Sequence, residues 1–216
     1  MKIVHGLAFP EADEFMVGQV SVEGTYQLAH LTEALRHVRN VDCAIDGGAH
    51  IGTWSRVMSG RFAKVIAAEP SPDTFAALRW NLEQSACTNV DARHCALGER
   101  AGYVSVALDA EQAQRGNTGA RFVKPDPNSD IPVETIDSWH LASLGFLKLD
   151  VEGSEPAALR GAKDTLARCR PIVLFENKFL WSRHYGLPKD AVSRFLTSQQ
   201  YRMVAKVSRD EIWAHR

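Results

Sequence analysis

The chain has 216 residues, 45% of them hydrophobic, which suits one sizeable α/β core and leaves too little for a second full domain. Its 25 basic and 26 acidic residues form no long run of one sign, which argues against nucleic acid or an anionic membrane as the main partner. Four scattered cysteines without a CxxC pair argue against a zinc site or a disulfide framework. With no signal-peptide core and no apolar run of membrane-span length, we expect a single cytoplasmic domain over residues 1–216.

The first 40 residues are expected to form an N-terminal lid or helix segment ahead of a core spanning residues 41–216. Phe15 to Val22 alternates weakly, as a strand or a lid would. Apolar residues at helical spacing then predict a helix after Gly24 and Thr25, with one face made of Leu28, Leu31, Leu35 and Val38.

A glycine turn follows the first predicted core strand. The apolar run from Val41 to Ile45 is typical of a buried parallel strand, Asp46 ends it, and a helix from Thr53 to about Arg61 follows the turn. The turn comprises Gly47, Gly48, Ala49, His50, Ile51 and Gly52. Such a unit is typical of a nucleotide site, because glycines let the backbone approach a ligand and free N–H groups face it. A carboxylate at the start of the turn suits a cationic ligand better than a pyrophosphate, which favours S-adenosylmethionine over a dinucleotide.

An acid also ends the second predicted strand, Val65 to Ala68. Glu69 lies roughly 20 residues after the turn, the spacing at which an acid binds a ribose diol in such folds. Ser71 is the expected N-cap of the next helix, which buries Phe75, Leu78 and Leu82 and runs to about Gln84. The alternative for Glu69 is a helix-entry acid favoured by the helix dipole.

The middle of the chain predicts a third strand, Asn89 to Cys95, with Ala96, Leu97 and Gly98 as its exit. In a doubly wound sheet this exit lies beside the switch point, where small apolar residues can hold an adenine. Residues 102–108 read as a further strand, and the polar stretch from Asp109 to Asp130 predicts a long loop. Asn117 in that loop is a candidate ligand contact, although turn chemistry explains it equally well.

The fourth apolar strand, which begins at Phe146, again ends in acid. Asp150 and Glu152 follow it, and Ser154 can cap a helix whose buried face is Leu159, Ala162 and Leu166. The fifth strand, Pro171 to Phe175, ends at Glu176. The connection 177–190, which contains His184, has a polar and aromatic composition suited to a pocket mouth. A helix from about Lys189 to Gln199 and a terminal hairpin, Tyr201–Val207 with Glu211–His215, complete the chain.

Two blocks, Asp46 to Gly52 and Phe146 to Ala162, resemble the FkbM family of class I S-adenosylmethionine-dependent methyltransferases. The intermediate segments Glu69-Pro70-Ser71 and Cys95-Ala96-Leu97-Gly98 match that family too, so the resemblance spans roughly residues 40–178. It implies a Rossmann-like α/β fold with a seven-stranded, mostly parallel sheet, an antiparallel C-terminal hairpin and helices on both faces. His50 departs from the family, which usually has asparagine there.

The resemblance also implies O-methylation of a hydroxyl on a small molecule or glycan, such as a sugar or a polyketide, with S-adenosyl-L-methionine as methyl donor. It assigns Asp46 and the turn backbone to the methionine end of the donor and Glu69 to the ribose. The residues expected around the donor are Asp46, Gly47, Gly48, Ala49, His50, Gly52, Thr53, Glu69, Pro70, Ser71, Phe75, Ala96, Leu97, Asn117 and Asp150.

A hydroxyl acceptor is barely acidic, so a general base within hydrogen-bond reach should accelerate transfer by roughly 10²–10⁴-fold. The candidates are Asp150, Glu152, Glu176 and His184. Asp150 and Glu176 end strands expected to be neighbours and could share a divalent metal. We do not favour a metal, because acids at strand ends more often cap helices or pair with Lys148 or an arginine.

Two other functions share parts of this pattern. A dinucleotide-binding oxidoreductase would also use a glycine turn and Glu69, but Gly47, Gly48 and Gly52 do not give the G-x-G-x-x-G spacing. A non-catalytic binding domain could keep the fold without the chemistry. Nucleic-acid methylation is disfavoured, because the fourth strand lacks the Asn/Asp-Pro-Pro-aromatic sequence that grips a flipped base. Acceptor recognition is expected from residues 1–25, 109–131 and 177–190, and the sequence leaves the oligomeric state open.

Overall fold

The computed structural model of the protein describes residues 1–20, 24–109, 120–177 and 185–216. The strands are β1 (Lys2–Val4), β2 (Leu7–Phe9), β3 (Cys43–Gly47), β4 (Lys64–Ala68), β5 (Val90–Arg93), β6 (Ala96–Leu97), β7 (Gly102–Leu108), β8 (Arg121–Pro125), β9 (Ile131–Glu134), β10 (Phe146–Leu149), β11 (Ile172–Glu176), β12 (Tyr201–Val207) and β13 (Asp210–His215). The α-helices are α1 (Glu14–Gln19), α2 (Leu28–Arg36), α3 (Thr53–Ser59), α4 (Pro72–Gln84), α5 (Glu155–Arg160), α6 (Lys163–Cys169) and α7 (Ala191–Ser198), and Ile136–Trp139 forms a 3₁₀ turn.

Seven strands form the central sheet in the order β12-β13-β11-β10-β3-β4-β5. The five strands from β11 to β5 are parallel, and β13 runs antiparallel to both of its neighbours. The predicted seven-stranded, mostly parallel sheet with a C-terminal hairpin is therefore confirmed. Parallel strands place their carboxyl ends at one edge, where ligands bind in open α/β sheets.

Both faces of this sheet are covered, as expected for strands that are apolar on both sides. One face carries Ile45, Leu147 and Phe175, which pack with Leu159 of α5, Leu166 of α6 and Leu196 of α7. The other face carries Ala44, Phe146 and Leu174, which pack with Leu31 of α2 and with Trp54 and Met58 of α3. Consecutive residues of a strand alternate between the faces, so Asp46 and Lys148 lie on the α2/α3 face.

A second, four-stranded sheet in the order β6-β9-β7-β8 was only partly foreseen. The strand predicted over residues 102–108 is present as β7. The prediction of one long loop from Asp109 to Asp130 is wrong, since Arg121–Pro125 forms β8 and pairs antiparallel with β7. The apolar residues Phe122 and Val123 within that polar stretch are the local reason for the strand. The sheet lies beside the carboxyl end of β4 and contributes to the cleft described below.

The N-terminal segment also differs from the prediction. Residues 14–19 form helix α1, preceded by the β1–β2 hairpin, so the described part of the stretch from Phe15 is a helix rather than a strand. Asp13 caps α1 by accepting a hydrogen bond from Met16 N at 3.1 Å. Buried Asn81 of α4 ties the hairpin to the core through Ala8 N (2.6 Å), Ala8 O (3.0 Å) and Ile51 O (2.9 Å).

Two helices depart from the predicted bounds or packing. The single helix expected after Ser154 is broken at Gly161 into α5 and α6, although Leu159, Ala162 and Leu166 are all buried as predicted. Of the residues predicted to share one face of α2, Leu28 at its start is 43% exposed, whereas Leu31, Leu35 and Val38 are buried. The longest helix of the described chain, α4, has 13 residues, and no described helix has the length and apolar character required to span a bilayer.

Candidate functional site

A cleft opens at the carboxyl ends of β3, β4 and β10 and encloses about 1230 Å³ of space, its mouth included. One end, here called the turn end, is lined by Gly48, Ala49, His50, Thr53 and Glu69. Another part of the lining, here called the acid end, consists of Asp150, Glu152, Glu176 and Asp210. Between and around them lie Phe15, Met16, Tyr26, Trp54, Pro70, Ser71, Thr74, Ala96, Leu97, Val106, Arg121, Val123, Lys148 and Leu174. The size and the mixed lining are typical of a small-molecule site.

The glycine turn brings β3 into contact with the segment after β10. Gly48 has φ +72°, and a Cβ there would lie 1.9 Å from the carbonyl oxygen of Asp150. The N–H groups of Gly48 and Ala49 both donate to Ala68 O, at 2.9 and 3.0 Å. The expectation that free N–H groups of this turn face the ligand is therefore wrong for these two residues, because β4 already takes their hydrogen bonds.

Glu69 lies between the turn and helix α4. Its Oε2 accepts a hydrogen bond from His50 N at 3.0 Å, and its Oε1 accepts one from Ser71 N at 2.9 Å. Burial raises the pKa of this carboxyl, and the charge of His50 and the two amides oppose that rise. Each carboxylate oxygen has a second lone pair, so Glu69 holds the turn in place and can still accept hydrogen bonds from the cleft.

Asp46 does not line the cleft but lies beneath it. The residue is fully buried, its Oδ1 is 2.9 Å from Lys148 Nζ, and its Oδ2 accepts a hydrogen bond from Ser55 Oγ at 2.6 Å. Lys148 Nζ also donates to Gly48 O at 2.7 Å. The cation held by Asp46 in this structure is thus the Lys148 ammonium, which lines the cleft itself.

Lys148 is a residue that the sequence analysis did not assign to the site. Burial lowers its pKa, but the nearby carboxylates of Asp46 and Asp150 outweigh that effect and raise it. Its ammonium lies 5.8 Å from the ring centroid of Trp54. A lysine inside an otherwise apolar central strand is the sequence signal that could have identified it, since buried charges are paired.

The apolar wall of the turn end comes from the second, four-stranded sheet. Ala96 and Leu97 of β6 line it, together with Val106 of β7 and Val123 of β8. Arg121 of β8 extends to Ser71 and Asp73, with Nη2 2.8 Å from Asp73 Oδ2, which lowers the pKa of Asp73. Ser71 is the N-cap residue of α4, but its side chain does not cap the helix; its Oγ donates to Asp73 instead.

Four other residues expected around the donor lie outside the cleft or the described chain. A Cβ added at Gly47 would meet the side chains of Leu97 and Leu149, and one added at Gly52 would meet the side chain of Leu78. Phe75 stacks on His94 at a centroid distance of 4.8 Å and is not among the residues that line the cleft. Asn117 lies outside the described residues.

The acid end joins three neighbouring strands. Leu149 pairs with Phe175, so Asp150 and Glu176 come next on adjacent parallel strands, as predicted. Asp210 of β13 is the Cα partner of Glu176 and was not foreseen. Candidate base His184 lies outside the described residues, as does most of the predicted pocket-mouth connection. In the described ranges, no group of three or more His, Cys, Asp or Glu residues could hold a metal ion.

The loop after β10 is held by a buried acid. Glu155 Oε1 accepts hydrogen bonds from Val151 N (3.1 Å) and Gly153 N (3.3 Å), and burial raises the pKa of this carboxyl to about 7. Glu152 has φ +52°, so the loop makes a tight reversal between Asp150 and α5. Glu155 therefore positions the loop that carries two of the cleft carboxylates.

The N-terminal segment meets the cleft at His50. The His50 ring Nε2 lies 3.2 Å from Asp13 Oδ2, and Phe15 and Met16 of α1 line the cleft nearby. The residue that departs from the family's asparagine thus contacts the segment that covers the turn.

Known proteins resemble this chain in sequence and in fold. The hexuronic acid methyltransferase AglP of Haloferax volcanii is 26% identical over 182 residues, covering 82% of this chain and 71% of that protein. The solved structure of methyltransferase FkbM from Methylobacillus flagellatus KT has a TM-score of 0.51 at 18% identity, and the match covers 82% of this chain and 44% of that one. A SAM-dependent O-methyltransferase from Thermotoga maritima gives a TM-score of 0.52 at 12% identity, with 95% and 71% covered.

The chain thus spans less than half of the FkbM structure that it matches. The two solved structures share its fold, in agreement with the strand order described above. A family model, the methyltransferase FkbM domain, matches residues 46–203, which is well over half of the chain. The protein belongs to the methyltransferase FkbM domain family.

Proposed function

We propose that the protein is an S-adenosyl-L-methionine-dependent O-methyltransferase that acts on a hydroxyl of a small molecule or glycan. The observation that carries this proposal is the convergence of the glycine turn, Glu69 and the strand-end carboxylates on one cleft. The turn end offers a carboxylate for a ribose diol beside the small apolar wall of Ala96 and Leu97. The acid end offers carboxylates suited to a cationic centre. These features fit an adenosyl sulfonium compound better than a pyrophosphate.

Within this proposal, Glu69 accepts the ribose hydroxyls, and Pro70, Ser71, Ala96 and Leu97 surround the adenine. The methionine end lies over the turn, near Gly48, His50, Thr53 and Asp150. Because Lys148 already neutralises Asp46, we assign the donor's amino group to the acid end rather than to Asp46. S-adenosylmethionine supplies an activated methyl group on a sulfonium sulfur.

The chain contributes alignment and proton acceptance. Holding the acceptor oxygen in line with the methyl carbon can supply about 7–11 kcal/mol of barrier reduction. Asp150, Glu152 and Glu176 line the cleft and are candidate acceptors for the proton of the hydroxyl. His184 stays a candidate base.

The acceptor class rests on two supports. The relative from Haloferax volcanii acts, by its name, on a hexuronic acid, which makes a sugar hydroxyl the first acceptor to test. The balanced charge of the chain, with 25 basic and 26 acidic residues, gives no support to a nucleic-acid acceptor.

The test is transfer of tritiated methyl from S-adenosylmethionine to a panel of methyl glycosides, including a glucoside, a glucosaminide and a glucuronide, with Mg²⁺ and with EDTA. We expect an acid-stable methyl ether on one of them, formed equally with and without the metal. A product whose methyl group is on nitrogen or carbon would contradict O-methylation. Loss of methyl transfer in EDTA would contradict the proposal that a side chain accepts the proton without the help of a metal ion.

A further inference from the structure

A histidine–aspartate pair lies at the acid end, outside the residues that the family model matches. His30 Nδ1 is 2.7 Å from Asp210 Oδ2, which links α2 to β13 across 180 residues of chain. Asp210 lines the cleft although only 3% of its surface is exposed. The family match covers residues 46–203, so neither partner belongs to it.

Asp210 faces another carboxylate directly. It is the Cα partner of Glu176 in the antiparallel β11–β13 ladder. Residues directly opposite on antiparallel strands project to the same face with Cβ atoms about 5 Å apart, and like charges there are destabilising. Asp150 follows β10 on the other side of β11. An unfavourable cluster of this kind inside a cleft is typical of a functional site.

The groups around Asp210 compensate its charge only in part. Burial and the Asp150 carboxylate raise the pKa of Asp210, while the hydrogen bond and charge of His30 and the charge of Lys148 lower it, with a net rise. Lys148 is itself paired with Asp46. His30 fixes Oδ2, and Asp210 Oδ1 accepts no hydrogen bond from any residue in the described ranges. The carboxylate is therefore fixed at one oxygen while it lines the cleft.

We propose that Asp210 faces the reacting centre and receives the proton of the acceptor hydroxyl, with His30 as the residue that positions it. This inference rests on the proposed methyltransferase function. In the step, the hydroxyl oxygen bonds to the methyl carbon as the methyl–sulfur bond breaks, and that bond's electron pair stays on sulfur. The hydroxyl proton passes to Asp210, so the products are the methyl ether, neutral S-adenosylhomocysteine and a protonated carboxyl that solvent then deprotonates.

The experiment needs no known acceptor. Sinefungin carries an amine where S-adenosylmethionine carries its reactive methyl, whereas S-adenosylhomocysteine has no charge at that position. Calorimetric titration of both ligands is carried out on the wild type, Asp210→Asn, Glu176→Gln and the surface control Asp91→Asn. A carboxylate at the reacting centre attracts the ammonium of sinefungin. We therefore expect Asp210→Asn to lower the affinity for sinefungin by about tenfold and the affinity for S-adenosylhomocysteine by less than twofold.

Variants of His30 test its positioning role. The side-chain N–H of Asn in His30→Asn lies close to the place of the histidine Nδ1, while His30→Ala removes that donor. We expect His30→Ala to reduce the ratio of sinefungin to S-adenosylhomocysteine affinity by about threefold and His30→Asn to restore it. His37→Ala, at the C-cap of the same helix, is the matched control and should leave the ratio unchanged.

Three results would overturn the inference. Equal weakening of both ligands by Asp210→Asn would show a purely structural role. No change for either ligand would show that Asp210 does not face the reacting centre, and an effect confined to Glu176→Gln would assign the role to Glu176. Absence of S-adenosylhomocysteine binding by the folded wild type is a different result, because it removes the proposed function itself.

Discussion

The two ends of the cleft are built in different ways. The turn end comes from contiguous blocks of sequence, and its polar groups are tied to one another, as when Glu69 accepts hydrogen bonds from the amides of His50 and Ser71. The acid end gathers Asp150, Glu176 and Asp210 from three strands that are distant in sequence. The residues proposed to bind the donor are thus mostly contiguous in sequence and lie within the family match, whereas the acid end is assembled by tertiary structure and includes Asp210 outside that match.

Lys148 connects the two ends, so its replacement should have the largest effect. In Lys148→Met the carboxylate of Asp46, which is fully buried, loses its cation, and breaking a buried ion pair costs about 3–5 kcal/mol. Urea denaturation should show this loss of unfolding free energy, and Asp46→Asn combined with Lys148→Met should recover much of it. Lys64→Met is the control, because Lys64 and Asp91 form an exposed pair at 3.7 Å that is worth about 1 kcal/mol or less. A loss below 1 kcal/mol in Lys148→Met would contradict the pairing.

Gly48→Ala should damage the turn end alone. Its φ is +72° and the new Cβ would lie 1.9 Å from Asp150 O, so the turn or the loop after β10 must shift. The left-handed conformation alone costs about 1–2 kcal/mol. We expect S-adenosylhomocysteine affinity to fall by at least about tenfold in calorimetry. Gly102→Ala, where nothing lies within 4 Å of the new atom, is the control. Unchanged affinity in Gly48→Ala would contradict the close approach of Gly48 to the carbonyl oxygen of Asp150.

Glu155, which holds the loop at the acid end, should make the stability of the protein depend on pH, and Glu155→Gln should remove that dependence. Burial raises the pKa of Glu155 from 4.5 to about 7, so the folded state binds more protons than the unfolded state and the wild type loses stability as pH rises through that range. A pKa difference of one unit between the folded and unfolded states corresponds to about 1.4 kcal/mol of unfolding free energy. The stability of Glu155→Gln relative to the wild type should therefore increase by about 2 kcal/mol between pH 5 and pH 8 in urea unfolding.

The matched control for that experiment is Glu99→Gln, because Glu99 is 43% exposed in its pair with Arg160. Its stability relative to the wild type should change little over the same range. Equal pH slopes for the wild type and Glu155→Gln would show that the carboxyl does not titrate with a raised pKa.

The sequence predicted the central sheet and most of the turn end because both are local patterns. Apolar runs ending in acid located Glu69, Asp150 and Glu176 at one edge of the sheet. Asp46 followed the same pattern but lies beneath the cleft, because alternation along β10 puts Lys148 beside it in the ladder. That pairing depends on the register between β3 and β10, which the amino-acid sequence alone does not reveal.

Two features were beyond local pattern reading. The contact between His30 and Asp210 joins residues 180 positions apart, and neither lies in a distinctive motif. Strand β8 lies in a polar, glycine-containing stretch, and only its pairing with β7 identifies it. Both features depend on contacts between separate segments of the chain, and both shape the part of the cleft outside the contiguous blocks that are proposed to bind the donor.

The most direct test of the account is calorimetric titration of S-adenosylmethionine, S-adenosylhomocysteine and NAD into the wild type and Glu69→Ala. We expect both adenosyl ligands to bind the wild type and to weaken by about 10–100-fold in the variant, the range for losing hydrogen bonds to a charged group, while NAD does not bind. Circular dichroism of the variant would verify that it remains folded. Binding of NAD without either adenosyl ligand, or equal affinities in the wild type and Glu69→Ala, would contradict the assignment of this cleft to S-adenosylmethionine.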